Sequence, residues 1–342
     1  MAARQKQGAQ PRWMAPAGFV AMVAVAGYIA FGGNPSIDQA AVKQRLESLS
    51  QSLAKLPALA EFSPSVTTSD IKVSGWGYDR VAHALKPQIT WRYDGVSWQL
   101  KAASMDITQH KLQPERWTFA IHSPVELLRD GVSMSSLRYQ DALYMVLSDT
   151  GHGSLRVVEA RLALPSESVF EHVGGRPAVL GFQPQSTIHL TWMPESQKLT
   201  LSASSDQMEI TQDAISSFQK LQLSLLDNRA SDGTRLGYGT FAMSVLKQDE
   251  TPAYDVAMTA EYRADEAYRQ IAVDLKRLAL MEAGKSRDFS GQIHVNRAGK
   301  LAGELTLMPE KKTVSISSLD AIINAIQPPE NKGEADEKKH ER

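Results

Sequence analysis

Cysteine is absent from all 342 residues. The chain can therefore form no disulfide, use no thiol nucleophile, bind no metal through thiolate and carry no lipid on an N-terminal cysteine. Charge of one sign is lacking too: 37 basic residues stand against 38 acidic ones, a formal net charge of −1. A nucleic-acid binder would show a basic excess or stripe, so no nucleic acid is expected as a partner, nor is membrane-surface binding through a polybasic patch. The eight histidines, at 83, 110, 122, 152, 172, 189, 294 and 340, show no HExxH or similar pairing, so no metal and no cofactor is expected. There is no GxSxG elbow, no phosphate-cradling glycine loop and no dinucleotide fingerprint, and the carboxylates are spread evenly. The sequence designates no catalytic residue, and the chain reads as non-enzymatic.

Long apolar runs are equally scarce, and the one present organises the rest. Residues 14–33, MAPAGFVAMVAVAGYIAFGG, contain no charge. At the rise of an α-helix they reach ~30 Å, the thickness of a bilayer's hydrocarbon core. Met14, Phe19, Val20, Val23, Val25, Tyr28, Ile29 and Phe31 supply the apolar surface of this expected transmembrane helix. Arg4, Lys6 and Arg12 precede it without any acidic residue, which places residues 1–13 in the cytoplasm of a bacterium and everything after the helix in the periplasm. The competing reading is a cleaved signal peptide, since Ala30-Phe31-Gly32 has small residues at a peptidase's spacing; against it, the run exceeds the roughly 7–15 residues of a signal h-region. Ala17, Ala21 and Ala24 put small side chains on one helix face; small residues common in a weakly hydrophobic anchor are the plainer reading, and a homodimer surface is the alternative.

After the break at Asn34-Pro35, Ser36 and Gln39 form a capping-box pattern, and Val42, Leu46, Leu49, Leu53 and Leu56 step by four and three. Residues 34–57 are expected to hold an amphipathic helix that packs on its own domain, with a dimerising stalk as the alternative.

From Val66 the period changes to two. Ile71 with Val73, Ile89 with Trp91, Val96 with Trp98, and Trp117 with Phe119 alternate with more polar neighbours, and Asp94-Gly95 is a hairpin turn. The same style continues through Ile188 to Trp192, Leu199 with Leu201, Leu221 to Leu225, Leu236 with Tyr238, Tyr254 to Met258, Ile271 to Leu275, and two runs near 289–295 and 301–307 joined by Asn296-Arg297-Ala298-Gly299. Residues 213–226 read as a short helical turn followed by a strand, and 265–277 as a turn near 264–267 followed by a strand. Ser318 caps a short terminal helix stopped by Pro328-Pro329, and the charged residues 328–342 read as a disordered tail. The fold class is therefore mainly β: one N-terminal transmembrane helix, and at 58–327 a large curved antiparallel sheet with short flanking helices. Two halves meeting near 203–211 would suit it.

Two strings carry candidate chemistry. Residues 148–154, SDTGHGS, pack acid, base and hydroxyls together, but a triad draws its members from separate elements, so a hairpin turn is the better account. Residues 75–80, GWGYDR, put Trp76 and Tyr78 between glycines, where they could line a ligand groove with Arg80 as an anion contact; a bend filling the core edge is the plainer reading. Gly291 and Gly303 lie within strands and read as marks of a bulge or of curvature.

The bend at 75–80, Pro87, the run Leu112-Gln113-Pro114-Glu115-Arg116-Trp117 and the later Phe289-Ser290-Gly291-Gln292-Ile293 and Gly299-Lys300-Leu301-Ala302-Gly303 together resemble the bacterial envelope family called domain of unknown function 2125. Gly77 stands where that family's bend would carry proline. The resemblance implies an N-terminal membrane segment and an exported β-rich region, and it brings no catalytic residues with it. The resulting expectation is an inner-membrane protein whose periplasmic domain binds lipid or another apolar envelope component. An assembly factor for an envelope protein complex is the alternative and an exported hydrolase the third reading.

Overall fold

The computed structural model describes residues 62–75, 81–93, 95–110, 113–152, 155–193, 195–211, 215–246, 252–266, 268–282, 285–296 and 300–318, with Gln39, Ala40, Val42, Lys43, Glu47 and Ala321. Here the chain forms one twenty-stranded sheet, antiparallel at every pairing. β1 (Ser65–Thr67) and β2 (Asp70–Ser74) run in line with each other, as do β3 (Val81–Leu85) and β4 (Gln88–Tyr93), against which they pair. β5 (Val96–His110) takes β4 along its first half and β3 along its second, and β6 (Gln113–Arg129) folds back on β5. Three more strands come in collinear halves: β7 (Val132–Tyr139) with β8 (Ala142–His152), β9 (Leu155–Ala163) with β10 (Glu167–His172), and β11 (Ala178–Phe182) with β12 (Thr187–Met193). They stack in that order between β6 and β13 (Lys198–Thr211). β14 (Ile215–Arg229), β15 (Arg235–Leu246), β16 (Pro252–Ala264), β17 (Gln270–Glu282), β18 (Lys285–Asn296), β19 (Leu301–Met308) and β20 (Lys312–Ile316) then each pair with the next. The architecture is an up-and-down meander of long strands.

The breaks between half-strands line up. Residues 86–87 lie opposite Ala103, which lies opposite Ser123-Pro124, then 140–141, 164–166, 183–186, and the gap between Ser205 and Gln207. A register shift between Gln219 and Gln222 carries this seam into β14. Ladder bonds lost along it are replaced locally, as buried polar groups require. Tyr139 donates its hydroxyl to the Ile121 carbonyl at 2.9 Å, and the buried Ser186 and Ser205 hydroxyls pair at 2.6 Å.

Because paired residues project to the same side, the register assigns faces. One face is apolar across nearly the whole sheet. In its first half Ile71, Ala82, Ile107, Trp117, Phe119, Met145, Leu162 and Leu190 form a buried cluster joined by Val42, which is 1% exposed. Leu275, Leu278, Phe289, Leu305 and Ile316 form a second, against which Ala321 packs. Val42 and Ala321, both helical, thus pack on this face. The Ser318 hydroxyl accepts the Ala321 amide at 3.1 Å, the bond expected of a helix cap.

The β-rich, antiparallel expectation is met, and the turns at Gly95 and Asn296 fall where expected, the latter closed by the Asn296 amide to the Lys300 carbonyl at 3.1 Å. The Tyr268 amide donates to the Asp265 carbonyl at 3.0 Å in a turn, and β17 follows, also as expected. The helical turn expected at the start of 213–226 is corrected: from Ile215 the chain is strand, because Ile215, Ser217 and Gln219 pair on both sides or one side of a ladder that outweighs the local 3.6-residue spacing. Six strands, β3, β7, β8, β10, β11 and β20, carry no strong alternation in sequence. In β3 the inward positions are Ala82 and Ala84, fully buried yet weak as a strand signal. Among the described residues no helix is long and apolar enough to cross a membrane, and residues 14–33, with Met14, Phe19, Val20, Val23, Val25, Tyr28, Ile29 and Phe31, lie outside them.

Candidate apolar site and its polar end

Between the two buried clusters the apolar face changes character. Across β13 to β16 the register aligns Ala203, Leu223, Phe241 and Met258 in one row and Leu201, Leu225, Gly239 and Ala260 in the next. All are half-buried. Small residues at Gly239 and Ala260 make the second row low, so the surface is a shallow apolar trough running across the strands. Leu225 leans toward it, its Cδ1 lying 3.5 Å from where a Cβ on Gly239 would sit.

The third row ends the trough in polar groups: Leu199, Asp227, Gly237 and Tyr262. Asp227 is 1% exposed and Arg235 6%. Arg235 donates through Nη2 to Asp227 Oδ2 and to the Gln197 carbonyl at 3.2 Å, and through Nε to the Tyr268 hydroxyl at 2.9 Å. Tyr268 in turn donates to Asp227 Oδ2 at 2.6 Å, and Tyr262 to Oδ1 at 2.7 Å. The carboxylate thus accepts three bonds and the guanidinium donates three, the kind of hydrogen bonding under which a buried pair is tolerable. Tyr262 reaches Asp227 by lying across Gly237; a Cβ there would sit 1.9 Å from its ring. This cluster is a hydrogen-bonded polar wall at the end of the trough.

Burial raises the pKa of both tyrosines above the ordinary value, and the neighbouring Asp227 carboxylate raises them further. Burial alone would lower that of Arg235, but Asp227 and Tyr268 carry it above its usual value. A phenol whose folded pKa is raised adds stability that is present below its unfolded pKa of about 10 and is lost as pH rises beyond it. Thermal stability is therefore expected to fall steeply above pH about 10, and less steeply in Tyr262→Phe, as differential scanning calorimetry across that range would read.

Trp76, Tyr78 and Arg80 lie outside the described residues. Residues 148–152 are the end of β8, whose His152 pairs with Leu155 of β9, so these residues of the string are strand, and residues 153–154 lie outside the described residues. Gly291 stands beside the register shift in β17, and Gly303 on β19 pairs with Ile293, two residues on from it, consistent with irregularity rather than a site. No group of three or more His, Asp or Glu side chains among the described residues is arranged to hold a metal ion.

Sequence reasoning missed Asp227, Arg235, Tyr262 and Tyr268. A signal existed: after Leu221, Leu223 and Leu225, Asp227 continues the same inward alternation, and an acid at a core position needs a buried partner. The runs around Leu236 and Tyr238 misled, because those two face outward, at 42% and 44% exposure, while Arg235, Gly237 and Gly239 face the trough. Comparison with protein-family models, with curated proteins and with solved structures gives no match to the chain.

Proposed function

We propose that this chain is a binding module of a bacterial envelope, held in the inner membrane by residues 14–33 with its sheet in the periplasm, and that the trough across β13 to β16 holds an acyl chain of a lipid or a similar apolar envelope component. The observation that carries this reading is that the two apolar rows across β13 to β16 hold no buried residue, between two clusters whose centres are buried. Trp117, Phe119 and Phe289 at either side are 3%, 3% and 2% exposed, whereas Leu223, Leu225 and Phe241 remain half-buried. Apolar surface left open between two dry clusters is where an apolar ligand gains most from leaving water. The resemblance to domain of unknown function 2125 fits the same placement. The polar wall at Asp227 and Tyr262 would stop the chain at one side of the trough.

Native mass spectrometry of the full chain, extracted gently from its own host's membranes, tests this. A bound mass in the lipid range is expected, reduced about tenfold or more by Leu223→Lys, because an ammonium set beside an acyl chain costs more than the ~1.4 kcal/mol that tenfold represents. A clean apo protein, or the same bound lipid in the variant, overturns the reading.

A further inference from the structure

The opposite, solvent-facing side of the sheet carries a different arrangement. His83 on β3 and Asp106 on β5 are directly paired, facing away from the apolar partners Ala82 and Ile107. His83 Nδ1 lies 2.5 Å from Asp106 Oδ1, and His122 Nε2, from β6, lies 3.0 Å from Asp106 Oδ2. Ser74, the last residue of β2, places its Oγ 3.4 Å from His83 Nε2. A ring that donates from Nδ1 to a carboxylate carries its lone pair on Nε2, so the nitrogen facing Ser74 is the one able to accept a proton. His122 occupies the second carboxylate oxygen and fixes the orientation of Asp106. Ser74 is exposed, and Gly75 directly after it takes φ 86.

We propose that Ser74, His83 and Asp106 form a nucleophilic relay that accepts acyl groups from carboxylic esters presented at this open face. The three come from separate strands and stand in the order of contact, hydroxyl to imidazole to carboxylate, that activates a serine. A separation of 3.4 Å between nucleophile and base is in the range that tightens once substrate is bound. In the reaction, Ser74 Oγ bonds to the ester carbonyl carbon while its proton passes to His83 Nε2. The carbon–oxygen bond to the alcohol then breaks, and the departing alkoxide takes that proton. Water next attacks the acyl-serine with His83 again accepting a proton, and release of the acid restores the Ser74 hydroxyl. This site lies on the face opposite the trough and does not depend on what the trough holds.

The test uses the full chain in its host's membranes and an alkyl fluorophosphonate as probe, with adducts mapped by peptide mass spectrometry. Here Ser74 Oγ bonds to phosphorus, the phosphorus–fluorine bond breaks, fluoride leaves and the proton goes to His83. An adduct on Ser74 is expected, absent in Ser74→Ala. Labelling should slow by about 10² or more in His83→Ala and be restored in part by added imidazole, a rescue that a purely structural role would not show. No adduct on Ser74, a labelling rate unchanged by His83→Ala, or a loss in that variant that imidazole cannot restore overturns the proposal. Because Ser74 is exposed, Ser74→Ala keeps the fold and serves as the control for labelling elsewhere.

Discussion

Asp227→Ala is expected to lower the stability of the sheet by about 3–5 kcal/mol, the largest loss of any single polar substitution in it. The magnitude follows from what is left behind. Arg235 is 6% exposed and cannot neutralise itself, so without its carboxylate it stays charged in a dry environment, and the Tyr262 and Tyr268 hydroxyls lose the acceptor they share. Coulomb attraction in the native pair does not set this number, since most of that gain offsets the cost of burying the two charges. The paired change Asp227→Leu with Arg235→Met removes both charges at similar volume and should be near neutral or stabilising. Urea titrations of the wild type, the single variant and the double variant check both statements. A double variant as unstable as Asp227→Ala would mean that the cluster holds the chain through its hydrogen-bond geometry instead.

Gly291→Ala is expected to cost roughly 3 kcal/mol, against the usual sign of such a change. Replacing a strand glycine by alanine ordinarily stabilises by about 0.4–1 kcal/mol, because the unfolded chain loses freedom. At Gly291 a Cβ would lie 2.0 Å from the Glu304 carbonyl oxygen on the neighbouring strand, and the residue's φ is 157. Backbone cannot swing aside as a side chain can, so β18 and β19 must separate. Gly303 meets the same obstacle, with the Gln292 carbonyl oxygen 2.1 Å from its Cβ position. Gly181 supplies the contrast. Its nearest neighbour would be the Glu209 Cβ at 3.8 Å, so Gly181→Ala should be neutral or slightly stabilising. Calorimetric midpoints for Gly291→Ala and Gly181→Ala should move in opposite directions; a shared direction would show that strand spacing is softer than this geometry implies.

The mainly β character of the chain was legible because Trp117, Phe119 and Ile121, and likewise Leu221, Leu223 and Leu225, keep a strict two-residue period. Turn chemistry located the hairpins, since Gly95 takes φ 76 as its turn requires. What could not be read is the pairing of distant positions. Half-strands such as β10 and β11 exist because β7 and β13 present open ladders to them, not because residues 167–172 or 178–182 favour the strand alone. The same holds for chemistry. His83 and His122 are far apart in sequence and share no recognisable spacing, yet two strand pairings bring both to Asp106. Arg235 hid for another reason: one residue in the strand pattern separates a solvent-facing arginine from a buried one, and its neighbours Leu236 and Tyr238 suggested the wrong phase.

The meander has a consequence for how the chain is assembled. Every pairing joins strands no more than three apart in the chain, β1 with β4, β7 with β10 and β9 with β12 being the longest steps, so loops closed during folding are short and their entropic cost is small. Ordering can spread along the sheet from its first hairpins as successive residues become available, whether from a ribosome or through a membrane channel. Segments from the first half need not wait for the second, and at every stage just one newly formed strand edge is left exposed at the growing end.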